Sequence, residues 1–346
     1  MAEIRVNSPA GQYPILIEPG ALKRLPDLLK VNGGRTVIVT NATLVPLYGE
    51  ALAELLPDSV VTTMPDGEQF KTLDTVRQLY DDFVAAGLDR SGTVIALGGG
   101  VVGDTAGFAA ASYMRGVRLV QIPTSLLSMV DSSVGGKVGV DLPQGKNLVG
   151  AFKQPDQVII DTDTLDTLPD VEWRNGLAEV IKHGLLADSV LLEPDTLKRD
   201  RAPELVRRAV QVKVDVVEQD PYEKGIRAHL NLGHTFAHAI EQVSGYAWAH
   251  GAAVAVGLLA AARLSSKLGL CAPTLVDQVE RLLVQQALPT RLADMEPAAI
   301  YAAMGTDKKW RNGRSRFILL RDIGDVLVVE DVARDAVIAV LEELKT

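Results

Sequence analysis

The chain has 346 residues, of which 47% are hydrophobic and 23% are charged, and its formal net charge at pH 7 is −9. This composition is typical of a globular protein with a large core and excludes a disordered chain. The acidic balance argues against non-specific binding to nucleic acid, which needs a basic surface. It leaves room for a local cationic pocket that binds a small anion.

The cysteine content and the apolar segments indicate where the protein works. The single cysteine, Cys271, cannot form an internal disulfide, which fits a reducing compartment. The first residues carry charges instead of an apolar core, unlike a signal peptide. The most apolar stretch, residues 251–262, is far shorter than the ~20 residues that span a bilayer. We therefore expect a cytoplasmic protein that does not enter a membrane.

Short apolar runs alternate with helical stretches in the first half of the chain. Strands are predicted at residues 15–17, 36–39, 60–62, 93–97, 119–122 and 157–160. Helical stretches such as 73–86 separate them, which is typical of βα units and a mainly parallel sheet. After residue 161, long segments of helical period follow at 204–219, 235–243 and 251–268, with one strand-like run at 317–320. We predict an α/β fold with a Rossmann-like N-terminal domain, residues 1–164, and a mostly α-helical C-terminal domain, residues 165–346.

A glycine-rich segment directly follows the predicted strand 93–97. Residues 98–104 read Gly-Gly-Gly-Val-Val-Gly-Asp and contain the G-x-G-x-x-G pattern before an alanine-rich helical stretch. Glycines let the backbone approach a pyrophosphate, and the N-terminus of the following helix favours its negative charge. The segment therefore predicts a dinucleotide site, with a purely structural turn as the alternative. It follows roughly the fourth strand, whereas an ordinary Rossmann fold carries it after the first.

Two further segments combine glycine with lysine. Residues 131–137 read Asp-Ser-Ser-Val-Gly-Gly-Lys, and residues 145–147 read Gly-Lys-Asn. Such pairs predict loops that bring backbone N–H and ammonium groups to an anion. The alternative is a pair of solvated surface loops, but glycine and apolar neighbours are unusual for a plain surface face.

Three of the five histidines, His234, His238 and His250, lie close together in the chain. His234 and His238 share a face if the segment is helical. Glu179 lies at a helical position and could complete a Glu/His/His set with an open position, the pattern of a catalytic zinc site. His183 competes on geometry because it follows Glu179 by one helical turn. The spacing alone leaves open which two histidines bind metal, and for each histidine a structural hydrogen bond is the alternative.

From about residue 37 to residue 320, the sequence resembles the 3-dehydroquinate synthases. Matching segments occur in the same order and spacing, which makes the resemblance specific. They are residues 65–71, 98–104, 130–137, 145–147, 177–183, 227–241 and 307–309. The resemblance implies NAD and a divalent metal, zinc or alternatively cobalt, as cofactors, and a small sugar-acid phosphate as substrate.

The resemblance also implies a role for individual residues. The implied zinc ligands are Glu179, His234 and His250, whereas His238 is assigned to the substrate. The implied phosphate contacts are Arg115, Lys137, Asn147 and His238, with either Lys308 or Lys309. The implied carboxylate contacts are Lys213 and Arg227, and the implied hydroxyl contacts are Lys182, Asn231 and Asp131. The implied NAD contacts are Glu68, Lys71, Gly99, Gly100, Gly103, Asp104, Thr124, Ser125, Lys146 and Thr167.

Two positions carry a further implication. In the family, the counterpart of Arg115 reaches the site of the neighbouring subunit, so we expect a homodimer. The family's ribose-contact segment after the second predicted strand sometimes begins with Asp, where this chain has Asn41. On the resemblance, residues 1–164 would bind NAD, and residues 165–346 would bind the metal and the substrate.

The implied reaction converts 3-deoxy-D-arabino-heptulosonate 7-phosphate to 3-dehydroquinate and phosphate, a step of the shikimate pathway for aromatic amino acids. NAD transiently oxidises a substrate hydroxyl, zinc acts as a Lewis acid, and phosphate is eliminated. The hydride then returns, and the ring opens and recloses by an intramolecular aldol step. No strong protein base stands out among the motifs, so the substrate's own phosphate is expected to take the proton. The protein then contributes mainly positioning and charge stabilisation.

Three alternatives make different demands on the sequence. Another sugar-phosphate cyclase, which forms an inosose or a valiolone-type ring, would differ at carboxylate-binding residues such as Lys213 and Arg227. A metal-dependent polyol dehydrogenase would consume NAD and would not need the phosphate contacts Lys137, Asn147 and Arg115. An inactive NAD-binding sensor would not need the complete set of metal ligands.

Overall fold

The computed structural model describes residues 2–29, 33–292, 295–305 and 315–345. The chain divides into two compact units, residues 1–169 and 170–346. The boundary predicted from the sequence, at 164/165, falls inside a short 3-10 helix, Thr162–Thr167, that belongs to the first unit. The change in sequence texture marks the end of the last parallel strand, and the short helix that follows carries no such signal.

The first unit is built on a seven-stranded sheet with the strand order β1-β2-β9-β6-β5-β3-β4. Its strands are β1 (Ala2–Ser8), β2 (Gly11–Ile17), β3 (Thr36–Asn41), β4 (Ser59–Met64), β5 (Thr93–Gly98), β6 (Arg118–Pro123) and β9 (Gln157–Ile160). β1 and β2 are antiparallel, and all other neighbours are parallel. The predicted mainly parallel sheet is confirmed.

Helices cover both faces of this sheet. They are α1 (Leu25–Leu28), α2 (Glu50–Leu55), α3 (Leu73–Ala85) and α4 (Gly100–Ser112). Along β5, Val94 and Ala96 belong to the apolar cluster that contains Phe83 of α3, whereas Ile95 belongs to the cluster that contains Leu52 of α2. Successive side chains of a strand point to opposite faces, so a strand in the middle of three layers must be apolar throughout. This explains the continuous apolar run at 93–97.

The predicted loop is confirmed at residues 133–136, but the prediction is wrong for Lys137 and for residues 145–147, which lie in strands. Lys137 begins β7 (Lys137–Leu142), and residues 145–147 begin β8 (Gly145–Phe152), which pairs with β7 as an antiparallel hairpin. A Cβ on Gly139 would lie 2.6 Å from the carbonyl oxygen of Val149, and one on Gly150 would lie 2.4 Å from that of Val138. Here glycine permits close approach of two strands instead of marking a loop.

The second unit is mostly helical, as predicted. Its helices are α5 (Asp170–Leu186), α6 (Ala202–Gln219), α7 (His234–Val243), α8 (His250–Lys267), α9 (Pro273–Gln285), α10 (Pro297–Met304) and α11 (Arg334–Glu343), and its hairpin is β10 (Arg316–Asp322) with β11 (Asp325–Glu330). α8 packs against α5, α7, α9 and α11, and its residues 253–262 are all buried. Of the helices in the described ranges, none is long and apolar enough to cross a membrane.

Candidate active-site residues

The glycine-rich segment lies where the connections of the sheet diverge. β5 continues to β6 on one side, whereas β3 and β4 lie on the other side. Ligands of open α/β sheets bind outside the carboxyl ends of the strands at such a point. Because β1 had not been predicted, the segment follows the fifth strand instead of the fourth. The N-cap residue of α4, Gly99, makes no side-chain hydrogen bond to the first turn of the helix. The N–H groups of this turn lie at the carboxyl edge of the sheet, where they could donate hydrogen bonds to an anion.

The later glycines of this segment let α4 rest directly on the strands. A Cβ on Gly103 would lie 2.9 Å from Oε1 of Gln121 in β6, and one on Gly107 would lie 2.5 Å from Cγ1 of Val138 in β7. The Gln121 amide also donates a hydrogen bond to the Gly103 carbonyl, at 3.1 Å. Larger residues would push the helix N-terminus away from the sheet edge. The glycines therefore serve helix packing, in addition to the ligand approach that the sequence predicts.

Other predicted NAD contacts lie at the same edge of the sheet. Thr124 and Ser125 directly follow β6, and the Thr124 N–H donates to the carbonyl of Gly98, at 3.0 Å. Thr167 ends the short helix that follows β9. Its hydroxyl is hydrogen-bonded to the hydroxyl of Tyr48, a residue that was not predicted and that no motif signals. The parallel strands bring these residues together because their carboxyl ends meet at one edge.

The structure places the carboxylate of Asp66 beside Asn41. Asn41 ends β3, next to β5, and its side-chain amide donates to Oδ1 of Asp66 at 3.0 Å. The Thr43 hydroxyl donates to the other oxygen of Asp66, at 3.2 Å. In dinucleotide-binding folds, an acidic group at the end of the strand beside the glycine loop binds the ribose hydroxyl. Asp66 supplies such a group from the end of the neighbouring strand β4.

A buried lysine connects several predicted residues of the first unit. The Lys71 ammonium lies 2.7 Å from Oδ2 of Asp104 and donates to Oδ1 of Asn147, also at 2.7 Å. The Asp141 carboxylate accepts a hydrogen bond from the backbone N–H of Asn147, at 2.7 Å. The backbone N–H of Asp141 donates to the carbonyl oxygen of Lys71, at 2.8 Å. Lys71 thus ties the start of α4 to the β7–β8 hairpin.

The charges around Lys71 keep it protonated. Burial alone would lower the pKa of Lys71, but the Asp104 and Glu68 carboxylates raise it above its ordinary value. Glu68 also lies 3.4 Å from the Lys146 ammonium, so both lysines of this region are paired within the first unit. A buried cation with such partners orders the site without losing its charge.

The other predicted residues of the first unit lie in turns or at a strand end. Asp131 lies in the π-helical turn Ser128–Ser132, and Lys137 is exposed at the start of β7. Arg115 follows α4 and has a left-handed φ of 68°, next to Met114 with a φ of 49°. Two consecutive non-glycine residues in this region are rare, and such strain is found where a side chain must be presented in one direction.

In the second unit, three helices bring together a cluster of possible metal ligands. Glu179 lies in the middle of α5, and His234 and His250 are the first residues of α7 and α8. Their ligand atoms all lie within 4.8 Å of one another. Within the described part of this unit, they form the one such set of three. A His183 ring nitrogen is also within 4.8 Å of a Glu179 oxygen, in agreement with the competition predicted from spacing.

The distances between the ligand atoms of the cluster fit a tetrahedrally coordinated metal ion. Nε2 of His250 lies 3.2 Å and Nε2 of His234 lies 3.4 Å from Oε1 of Glu179. Zinc–ligand bonds of about 2.0–2.1 Å at tetrahedral angles place neighbouring ligand atoms about 3.3 Å apart. Three protein ligands leave a fourth position open, as in catalytic zinc sites. The residues therefore fit zinc, or a similar divalent ion.

Buried charges set the protonation of these ligands. Burial alone would raise the pKa of Glu179, but the Lys182 ammonium and the histidines His234 and His250 hold it well below its ordinary value. Burial would lower the pKa of His250, yet hydrogen bonds to Glu179 and Glu241 raise it to about 10. Lys182 contacts Oε2 of Glu179, which leaves Oε1 facing the two histidines. Glu179 is thus an anion that can serve as a ligand.

Glycines explain how the helices approach closely enough to form the cluster. A Cβ on Gly251 would lie 2.2 Å from the carbonyl oxygen of Asn175, where α8 crosses α5. A Cβ on Gly257 would lie 2.3 Å from the carbonyl oxygen of Gly233, which precedes α7. Gly233 itself has a left-handed φ of 78°. These contacts fix α8 against both of the other helices that carry ligands.

Replacing Gly251 by alanine is expected to separate α8 from α5. Overpacking of a core typically costs about 1–3 kcal/mol, and contacts with backbone atoms cannot be relieved by a rotamer change. We expect Gly251→Ala to lower the free energy of unfolding by about 3 kcal/mol in urea denaturation and to weaken zinc binding. Gly49→Ala is the control, because Gly49 has a helical φ of −63° and a Cβ there would meet its nearest atom at 3.7 Å. Equal urea midpoints for Gly251→Ala and the wild type would contradict this account.

The residues expected to contact the substrate carboxylate are buried in the second unit. Lys213 lies on α6, and Arg227 lies in the 3-10 helix Ile226–Asn231 that leads to α7. Both side chains are almost completely buried. Arg227 donates to the carbonyl oxygen of Pro221 at 2.5 Å, and its N–H donates to the Asp220 carboxylate at 3.1 Å. These contacts place Arg227 in the interior and exclude a role as a plain surface ion pair.

Two more predicted substrate contacts lie near the cluster in sequence. The Asn231 side-chain amide donates to Oε1 of Glu223 at 2.7 Å, and Glu223 has a left-handed φ of 56°. His238 is exposed, one turn after His234, and the centroids of the two rings are 5.5 Å apart. Glu223 was not predicted, because an acidic residue in a polar loop carries no motif. The expected contact by Lys308 or Lys309 lies outside the described residues.

Comparison with known structures defines the fold. The 2-epi-5-epi-valiolone synthase of Streptomyces hygroscopicus subsp. jinggangensis, solved with NAD+ and Zn2+ bound, has a TM-score of 0.87 and 31% identity, over 96% of this chain and 96% of that chain. The two units thus have the fold of the sugar-phosphate cyclases.

Family models and curated relatives show which family of sugar-phosphate cyclases the chain resembles. The model described as 3-dehydroquinate synthase N-terminal matches residues 61–175, and the model described as 3-dehydroquinate synthase C-terminal matches residues 176–310. The 3-dehydroquinate synthase of Dehalococcoides mccartyi is 44% identical over 100% of both chains. That of Psychrobacter cryohalolentis is 45% identical over 95% of this chain and 94% of its own. The chain belongs to the 3-dehydroquinate synthase family.

Proposed function

We propose that the chain is a 3-dehydroquinate synthase, which converts 3-deoxy-D-arabino-heptulosonate 7-phosphate to 3-dehydroquinate and phosphate. The full-length similarity to curated enzymes of this name supports the activity. The observation that carries the proposal is the cluster of Glu179, His234 and His250, whose distances fit a metal with an open position. An inactive sensor would have no need for such a site.

The same proposal assigns the cofactors. Zinc, or cobalt in its place, would be held by Glu179, His234 and His250, and NAD would be held at the carboxyl edge of the first unit. The 31% identical valiolone synthase was solved with both NAD+ and Zn2+, which supports this pair. When bound, NAD supplies hydride exchange, and zinc supplies Lewis-acid polarisation of a substrate hydroxyl.

The proposed NAD contacts combine the glycine segment with the residues around it. Gly99, Gly100 and Gly103 would let the backbone approach the pyrophosphate, at an uncapped helix N-terminus. The further contacts would be Glu68, Lys71, Asp104, Thr124, Ser125, Lys146 and Thr167. The Asp66 carboxylate beside Asn41 favours a free ribose hydroxyl and disfavours a 2′-phosphate, because like charges repel. We therefore propose NAD, and not NADP, as the cofactor.

The proposed substrate contacts follow the charges of the substrate. Arg115, Lys137, Asn147 and His238 would bind the phosphate, and Lys213 and Arg227 would bind the carboxylate. The guanidinium group matches a planar carboxylate with two parallel hydrogen bonds, whereas lysine acts as a point charge. Asp131, Lys182 and Asn231 would orient the hydroxyls. The phosphate of the substrate itself would take the proton that is lost in elimination, and the protein would supply positioning and charge stabilisation.

A catalytic role for NAD distinguishes this function from that of a polyol dehydrogenase. With NAD at a concentration well below that of the substrate, we expect many turnovers of phosphate release and only a transient nicotinamide absorbance. The hydride returns to the product, so NAD is regenerated in each cycle. Phosphate release and absorbance at the NADH band, recorded in the same reaction, provide the measurement. Accumulation of NADH in step with product would instead indicate a dehydrogenase.

The quaternary state and the location remain predictions. We propose a homodimer in which Arg115 of one subunit contributes to the site of the other, and its strained backbone is the feature that motivates this role. Equilibrium sedimentation of the full chain would measure the subunit number. A cytoplasmic location is expected from the sequence.

A further inference from the structure

The two histidines of the proposed metal site, His234 and His250, differ in the group that lies within hydrogen-bonding distance of Nδ1. Nδ1 of His234 lies 3.2 Å from the backbone carbonyl of Leu232. Nδ1 of His250 lies 3.4 Å from Oε2 of Glu241, a carboxylate. In both rings, Nε2 is the nitrogen that faces Glu179. A ring whose Nδ1 donates a hydrogen bond keeps Nε2 as the free base that a metal requires.

Glu241 also organises the segment that carries His250. It lies on α7 with 2% of its surface exposed. Its backbone carbonyl accepts from the N–H of Tyr246 at 2.7 Å and from the hydroxyl of Ser244 at 2.9 Å. Tyr246 has a left-handed φ of 63°, which turns the chain back towards α8. The backbone carbonyl of Glu241 thus binds Ser244 and Tyr246 of the loop that leads to α8, and its side chain contacts the ring of His250 at the start of α8.

We propose that Glu241 is a positioning residue of the metal site: it accepts a hydrogen bond from Nδ1 of His250 and so directs Nε2 of this ring to the metal. The proposal rests on the metal site proposed above and adds a residue that does not touch the metal. A buried carboxylate needs a hydrogen-bond donor or a cation, and the His250 ring provides the donor. The carboxylate in turn makes the ring a stronger ligand, because it stabilises positive charge on the imidazole.

The charges of the cluster support this role. Glu179 and Glu241 provide two negative charges for one divalent ion: Glu179 would bind it directly, and Glu241 would act through the ring of His250. Lys182 lies against the other oxygen of Glu179. Removing the Glu241 carboxylate would leave the ring free to rotate and would reduce the negative charge around the ion. The loss of such an outer partner typically lowers metal affinity by about 10- to 100-fold.

The test compares variants of one buried position in the full-length protein. Glu241→Met keeps the length of the side chain and removes the acceptor, and Glu241→Gln restores an acceptor oxygen without the charge. Gln242→Met, at the exposed next position of α7, is the matched control. The metal-free proteins are titrated with Zn2+ in competition with a chromophoric chelator, and with Co2+ to record its visible spectrum. Thermal melting of the metal-free proteins reports on the fold.

We expect Glu241→Met to weaken Zn2+ binding about 10- to 100-fold and to change the Co2+ spectrum, with Glu241→Gln between it and the wild type. Gln242→Met should bind Zn2+ as the wild type does. Wild-type affinity and spectrum in a folded Glu241→Met would overturn the proposal. If this variant does not fold, Glu241→Gln decides, and wild-type affinity together with a wild-type spectrum in that variant overturns it as well. Absence of Zn2+ binding in the wild type would instead refute the metal site itself.

Discussion

Replacing His250 by alanine should remove both the bound zinc and the activity while the fold survives. The protein would keep only two ligands, Glu179 and His234, and would no longer hold the ion in a defined geometry. A catalytic metal contributes several kcal/mol to transition-state stabilisation, so we expect kcat to fall by roughly a thousandfold or more. Metal content by elemental analysis and the rate of phosphate release are the two measurements.

His238→Ala provides the comparison for this variant. His238 is exposed on α7, and its ring neighbours that of His234 without belonging to the cluster of ligand atoms. We expect it to retain zinc and to lose rate, because the variant lacks the proposed phosphate contact. A His250→Ala protein with wild-type zinc content and rate would refute the ligand assignment. Loss of zinc from His238→Ala would show that the assignments of these two histidines are interchanged.

Replacing Arg227 should impair catalysis on the acid substrate even when the positive charge is kept. The loss of one partner of a buried, hydrogen-bonded charge pair typically costs about 2–5 kcal/mol, so Arg227→Ala should lower kcat/KM by about 30-fold to several thousandfold. Lysine lacks the planar fork, so Arg227→Lys should lower kcat/KM by roughly tenfold or more. Steady-state kinetics of phosphate release with the heptulosonate substrate measures both effects.

A surface arginine and a neutral sugar provide the controls for this prediction. Arg207 is paired with Glu204 on the exposed face of α6, where an ion pair contributes ~1 kcal/mol or less. Arg207→Lys should therefore have nearly the wild-type kcat/KM. The wild type should not cyclise glucose 6-phosphate, which has no carboxylate. Efficient turnover of this sugar, or a nearly normal Arg227→Ala, would show that the carboxylate site is misassigned and would favour an inosose-forming cyclase.

The fold shared with a valiolone synthase does not by itself decide which sugar phosphate is the substrate. A sugar-phosphate cyclase that forms a different ring has the same fold at 31% identity. Substrate choice within this fold must therefore come from side chains, and Arg227 and Lys213 are the candidates that the sequence offers. Their burial agrees with a site that holds a carboxylate away from water.

The sequence alone determined the central architecture. The apolar runs at 36–39 and 93–97 are continuous because strands covered on both faces bury every side chain, and this pattern is local. The hairpin β7–β8 was missed because the glycine–lysine pairs at 135–137 and 145–146 were interpreted as loops, and its strands contain two more glycines, Gly139 and Gly150. Only the pairing of the two strands shows that Gly139 and Gly150 allow close contact. Local signals identify elements well when packing and propensity agree, and fail when a residue is chosen for its neighbour across space.

The sequence also indicated that glutamate and histidine form a metal site, since their types and spacing are visible in the chain. Spacing alone could not choose between His238, His183 and His250. His238 lies one helical turn from His234 and His183 one turn from Glu179, whereas His250 has no such relation to either of them. The tertiary structure brings His250 to Glu179, through the contact of α8 with α5 at Gly251. It also brings Glu241 to His250 and Asp66 to Asn41. These pairs join residues that are 9 and 25 positions apart in the chain, and only packing decides which of many such pairs meet.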